Sequence, residues 1–141
     1  MEMVKTETLS IQTQGNCHIV DITSKVHTAI ANSGISNGTV TVFNMGSTAG
    51  ITTIEYEPGL VNHDINTAFE KIAPQTGRYE HEETWHDDNG HAHVRATLLG
   101  PSLVVPFCDQ QLTLGTWQQI CLIDFDTRPR TRKVICQIMG E

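Results

Sequence analysis

The sequence predicts an α+β fold: a mostly antiparallel β-sheet with two main helices, folded as one compact domain over residues 1–141. Three observations carry the prediction. Two stretches in the first half space their apolar residues as helices do. From residue 91 onward the chain is a succession of β-branched and aromatic runs between Gly and Pro. No linker, repeat or low-complexity tract divides the 141 residues, a length usual for one domain. A chain of this size buries about two-thirds of the surface its unfolded form exposes, so it needs no disulfide to fold.

Taken in order, Glu7-Thr-Leu-Ser-Ile-Gln-Thr13 alternates like a strand and Cys17-His-Ile-Val-Asp-Ile22 continues extended after a turn at Gly15-Asn16, which predicts a hairpin. Val26, Ile30 and the Gly34 stop predict a helix over 23–33, capped by Asp21 or Thr23. After the turn pair Asn37-Gly38, Thr39-Val-Thr-Val-Phe43 reads as a buried strand. Gly46-Ser-Thr-Ala-Gly50 breaks it before a second β-prone run at 51–57, so strand, tight polar loop, strand is the simplest reading. Leu60, Asp64, Ile65, Ala68, Phe69 and Ile72 recur at helical spacing up to Pro74, which predicts a helix over 61–72. Beyond it no helix is expected. Strands are predicted over 91–99, 102–105, 117–125 and 132–139.

The formal charge of −7 opposes broad binding to a phosphate backbone, which argues against nucleic acid as a partner. No apolar run approaches the roughly 18 residues needed to cross a bilayer, so no membrane role is expected. Cys17, Cys108, Cys121 and Cys136 form no CxxC pair, and the first residues carry no apolar secretion signal. The expectation is a cytoplasmic protein with reduced thiols.

His91-Ala-His93 is the most informative pattern. In a strand both imidazoles would share one face, a spacing suited to one cation, and His81 could supply a third ligand while leaving a coordination position open. Two histidines in a polar cleft or at a subunit contact would give the same pattern without a metal. Glu55 and Glu57 alternate on one strand face, where Glu55 could serve as a general base, whereas Asp87-Asp88-Asn89-Gly90 reads first as a turn. His86 reads as solvated, and His18, His27 and His63 stand isolated. The loop at Ser47 and Thr48 offers backbone N–H groups and hydroxyls to an oxyanion, but lacks the Gly-Lys-[Ser/Thr] ending of a Walker sequence. Asp124, Asp126, Arg128, Arg130 and Arg132 fall at period two. Such a stripe suits either ion pairs, including pairs with a neighbouring subunit, or the binding of a phosphate. Pro129 places it at an edge or in a loop.

Asp21-Ile-Thr, Ser47-Thr-Ala-Gly-Ile, Glu55, Tyr79-Glu-His81, Asn89-Gly-His-Ala-His93, Leu114-Gly-Thr-Trp-Gln118, Asp124-Phe-Asp126 and Arg128-Pro-Arg-Thr-Arg132 occur in this order over nearly the whole chain. Together they resemble the YjbQ family (UPF0047), also called the secondary thiamine-phosphate synthase family. The resemblance implies a homotrimer with polar pockets near the subunit contacts. It also implies a weak activity joining hydroxymethylpyrimidine diphosphate to thiazole phosphate with release of pyrophosphate. On that reading a divalent metal, zinc or magnesium, is held by His81, His91 and His93. Glu55, His81 and Asn89 are the catalytic candidates, and Ser47, Thr48, Arg128 and Arg130 contact the phosphorylated small molecule. Members commonly read His-Thr-Thr-Ala where this chain has Gly46-Ser-Thr-Ala49. A metal-dependent hydrolase on the same histidines, or a non-catalytic trimer binding a phosphorylated metabolite, are the alternatives.

Overall fold

The computed structural model describes residues 3–141. Eight strands, all paired antiparallel, form two sheets. The larger has the order β1-β8-β3-β5-β6, built from β1 (Met3–Thr13), β8 (Arg130–Gly140), β3 (Gly38–Met45), β5 (Ser102–Cys108) and β6 (Gln111–Leu112). The smaller, β2-β7-β4, comprises β2 (His18–Asp21), β7 (Gln119–Asp124) and β4 (Ala49–Ile54).

The small sheet is sandwiched. Ile51, Ile120 and Leu122 on one of its faces join Ile11, Val40, Val42, Val134 and Ile138 of the large sheet and Val26 and Ile30 of α1 (Thr23–Ser33) in the main core. Alternate residues on the other face, Ile19, Cys121 and Ile123, together with Phe125, pack against Ala92, Ala96 and partly buried Ile65, Phe69 and Leu99. Both faces of β7 are therefore covered, and its near-continuous apolar run Ile-Cys-Leu-Ile follows from that. Each fully buried Ile or Leu there contributes about 1.5–3 kcal/mol.

Most elements lie where the sequence places them. The helix predicted over 61–72 is a π-helical turn, Leu60–Asp64, running into α2 (Ile65–Ile72); α1 starts behind Ile22 rather than a capping Asp21 or Thr23, though Asp21 accepts the Thr23 N–H at 3.0 Å. Three expectations fail. The first two strands are not a hairpin, because β1 pairs with β8 and β2 with β7. Gly15, Asn16 and Cys17 all have positive φ (79°, 55° and 65°). The Asn16 N–H donates to the Asp126 carbonyl at 2.6 Å, which anchors the corner and sends the chain into the other sheet. The expected strand, tight loop and strand around 46–50 are β3 and β4, which belong to different sheets, with the Phe125 N–H donating to the Thr48 carbonyl at 3.0 Å at the crossing. The other two corrections are helices: α3 (Glu80–Trp85) was not foreseen, and α4 (Gly90–Leu99) replaces the strand predicted over 91–99.

The reason for the last error is visible along α4. Its buried stripe is His91, Ala92, Arg95 and Ala96, at helical spacing but half polar, while Val94 and Leu98 face outward, 39 % and 59 % exposed. A search for apolar periodicity finds no helix in such a segment. Among the described residues, no helix is long and apolar enough to cross a membrane.

Candidate functional site

The crossings between the sheets, at 13–18, 45–49 and 124–130, gather at one end of the sandwich. There the filling is polar. Arg132, its side chain 8 % exposed, donates from Nε and Nη2 to the two carboxylate oxygens of Asp124 at 2.7 and 2.8 Å, and from Nη2 to Thr48 Oγ1 at 2.7 Å. Thr48 donates to Asp126 Oδ2 at 2.9 Å, and Arg130 reaches the same oxygen at 2.8 Å. Asp126 Oδ1 accepts the Thr127 N–H at 2.8 Å and the Asn89 amide at 3.4 Å. Burial alone would raise the Asp126 pKa, but the Thr127 N–H, the Thr48 hydroxyl, Arg130 and Asn89 outweigh it and hold the carboxyl below its ordinary range. Four of the period-two charges, Asp124, Asp126, Arg130 and Arg132, thus fold back on one another as ion pairs within one chain, and Arg128 is not among them. The five do not share a face, since β7 ends at Asp124 and β8 begins at Arg130.

Against this network lies the loop from α3 to α4. Asp88 accepts the Thr127 hydroxyl at 2.9 Å, tying the loop to the β7–β8 connection. Glu82 Oε1 accepts the Gly90 N–H at 2.6 Å at the start of α4. Position 90 is closed to larger residues, since a Cβ would fall 2.5 Å from Glu82 Oε1 and 2.6 Å from Tyr79 Cβ. The loop therefore holds His81, Asp87 and Asn89 in fixed relation to α4.

The rings of His81 and His93 lie 4.4 Å apart between centroids. His81 Nδ1 and Asp87 Oδ1 are 3.0 Å apart, with the two side chains 27 % and 33 % exposed. They are not aligned as a hydrogen bond, and both atoms are buried without a partner, as is Asn89 Oδ1. A buried acceptor left unpaired costs about 1–3 kcal/mol, so such atoms call for a ligand or an ordered water. His81, Glu82 and Asp87 each bring a ligand atom within 4.8 Å of the others. An imidazole nitrogen with carboxylate and amide oxygens suits zinc, magnesium or manganese, so these residues fit a divalent cation.

His91 does not belong to this group. On a helix, residues two apart point away from each other, and His91 is 1 % exposed with its ring centroid 6.3 Å from that of Tyr79. Desolvation, then the neighbouring Arg95 charge, lowers its pKa. Arg95 is buried beside it, bonded to Glu70 at 2.6 Å, to Asn66 at 3.0 Å and to the Ala73 carbonyl at 2.9 Å. His93 also has a lowered pKa, from desolvation and then His81, partly opposed by Asp126, Asp87 and the Ser47 backbone.

Of the other candidates, Thr48 and Arg130 lie in the ion-pair network and Ser47 is exposed on the loop beside it. Arg128 is exposed in the turn before β8. Glu55 is not with the histidines: it is exposed just past β4 and lines a separate cleft of about 480 Å³ with Asp21, Tyr56, Glu57 and Trp117. The sequence reading took Asp87 for a turn residue. No local signal could have shown that it meets His81.

The family model described as "UPF0047 protein YjbQ-like" matches residues 7–141. The chain belongs to this family. A UPF0047 protein of Methanothermobacter thermautotrophicus is 36 % identical over 138 residues, covering 98 % of this chain and 94 % of the relative. YugU of Bacillus subtilis is 34 % identical over 95 % of this chain and 98 % of its own length. Among solved structures, a YbjQ-like protein of unknown function from Sulfolobus solfataricus superposes with a TM-score of 0.92 at 35 % identity, covering all of both chains. A YjbQ/UPF0047 protein of Clostridium acetobutylicum gives 0.84 at 38 % identity, covering 94 % of this chain and 98 % of that one. The likeness to these YjbQ proteins extends over the helices as well as both sheets.

Proposed function

We propose that the end of the sandwich carrying His81, Asp87, Asn89 and His93 is a small-molecule site that holds a divalent cation and takes a phosphorylated substrate. The observation that carries this reading is the set of buried, unpartnered acceptors on His81, Asp87 and Asn89, beside two aspartates, Asp124 and Asp126, whose oxygens are all bonded. His81 and Asp87 would hold the ion directly and Glu82 supply a further oxygen. The bound ion would supply positive charge against a phosphate or diphosphate. Asp126 orients Asn89, because a carboxylate only accepts and so draws the amide nitrogen and leaves the carbonyl oxygen facing away. Arg130, 41 % exposed, is placed to turn from Asp126 toward an incoming phosphate.

The reaction we infer is the condensation that the family resemblance implies. The thiazole ring nitrogen attacks the pyrimidine methylene, the new C–N bond replaces the C–O bond, and pyrophosphate leaves with that bond's electron pair. Positioning of the two substrates and neutralisation of the leaving group supply most of the rate. The protein acts as a homotrimer. Supporting that assembly, the outward face of the large sheet carries Val4, Phe43, Met45, Val104 and Met139, each at least 41 % exposed.

The test is pyrophosphate release by the full chain with magnesium and both precursors. Release that needs both precursors and disappears in His81→Ala supports the condensation. Phosphate release from either precursor alone replaces it with a hydrolase, and binding without turnover replaces it with a non-catalytic binder. A monomer in light scattering at working concentration overturns the trimer.

A further inference from the structure

Arg132 is almost wholly buried, and its Nε and Nη2 are committed to Asp124 and Thr48. Its third nitrogen, Nη1, takes no hydrogen-bond partner among the described residues. It points at Gly46: a Cβ built there would stand 2.9 Å from Nη1 and 3.6 Å from Asn44 Nδ2. Gly46 also has φ +148°, a backbone conformation that residues with a side chain rarely adopt. With no side chain at position 46, a guanidinium N–H is left uncovered. Nη1 reaches the surface past Gly46 and is not among the buried unpartnered atoms, and Arg132 cannot swing away, because Asp124 grips it bidentately.

The opening at Gly46 is not flat surface. Gly46, Ser47, Ala49, Ala96, Thr97 and Pro101 line a cleft of about 220 Å³, smaller than pockets for drug-sized ligands, which start at about 300 Å³. Its wall from α4, Ala96 and Thr97, lies one turn beyond His93. The exposed Ser47 hydroxyl sits at the rim. The Ser47 hydroxyl on the cleft and the Arg132 N–H behind Gly46 suit an acceptor-only group with several oxygens.

We propose that Gly46 is a specificity-determining residue: by having no side chain it opens Arg132 Nη1 to one phosphate group of the ligand, seated in the cleft between the Gly46–Thr48 loop and α4. The inference deepens the reading of this end as a phosphorylated-substrate site, and rests on it. The phosphate is recognised by its oxygens. A monophosphate and the terminal phosphate of a diphosphate share that chemistry.

Orthophosphate and pyrophosphate are titrated separately into the whole chain stripped of metal, with acetate as a further anion. The side-chain NMR signals of Arg132 and calorimetric binding are followed for wild type and Gly46→Ala. The expected result is a saturable shift of the Arg132 guanidinium signal by one or both phosphates but not by acetate. Affinity should fall roughly 10- to 100-fold in Gly46→Ala, as for one lost charge-assisted hydrogen bond. The comparison of the two anions shows which substrate fragment the cleft takes. Manganese binding at His81 should be unchanged in the same variant, which separates this proposal from the cation reading: loss of phosphate recognition alone leaves the cation site standing, and loss of manganese binding alone leaves the phosphate cleft standing. Phosphate that binds wild type without moving the Arg132 signal, or binds Gly46→Ala equally well, overturns the proposal. So does the absence of phosphate binding. Should Gly46→Ala fold poorly, the wild-type Arg132 signal decides.

Discussion

Two polar clusters sit side by side at one end of the sandwich and differ in a single respect. Around Arg132, the carboxylates of Asp124 and Asp126 have both oxygens bonded, and Thr48 both donates and accepts. Around His81, acceptors on three residues are buried and empty-handed. Buried polar groups are almost always paired, so the carboxylates of the first cluster are complete as they stand, with only Arg132 Nη1 left over, and the acceptors of the second are completed by something else. The contrast separates residues that build the site from residues that serve it, and residue type could not have done so: aspartates occur in both.

The largest effect expected is on the closed cluster. Arg132→Met strands Asp124 in the interior, and breaking a buried pair by removing one partner costs about 3–5 kcal/mol. At roughly 2–4 °C per kcal/mol for a chain of this size, the thermal midpoint should fall by about 6–20 °C in circular dichroism. A midpoint within a degree or two of wild type would erase the distinction between the clusters.

On the open side the expectation is the reverse. Asp87→Asn keeps shape and removes charge, so zinc or manganese affinity should drop about 10-fold or more while the metal-free midpoint stays within the range of ordinary surface changes, about 0.5 kcal/mol. Isothermal titration and a melting curve on the same preparation check both halves.

His91 sharpens the comparison from a third position. Its folded pKa lies below the ordinary 6.5. Above that value the ring is neutral in both states and pH has no effect through it. As pH falls below the ordinary value, the unfolded chain takes up a proton that the folded chain refuses, and stability declines until the lower folded pKa is reached. His91→Gln should flatten the urea-measured stability between those two values, and an unchanged slope would mean that burial does not suppress protonation there. The smallest effect belongs to Arg128→Ala. This residue is exposed in the turn, and its loss should move stability by less than about 0.5 kcal/mol in the same urea measurement.

How much of this was legible beforehand follows from the kind of signal each element carries. The strands that line the core declare themselves through period-two burial or through the unbroken apolar run of β7, and α1 and α2 through apolar spacing. What failed was α4, whose buried face is made of His91 and Arg95 as much as of alanine. Because α4 was read as a strand, His91 was placed beside His93, and a two-residue spacing that shares a face in a strand points in opposite directions on a helix. The same mistake hid Asp87, which meets His81 only because α3 and α4 fold the intervening loop between them. His81, His93, Asn89, Thr48 and Arg130 were legible as polar residues in suggestive company. Which of them touch was settled by sheet crossings at Asn16 and Thr48 that the sequence reading took for local turns.

The most direct test is a zinc and manganese titration of the metal-stripped protein, comparing wild type with His81→Ala and His91→Gln. The account predicts about one ion per chain in wild type and in His91→Gln, and its loss in His81→Ala. An ion that survives the His81 change and vanishes with His91, or no binding at all in wild type, would contradict it.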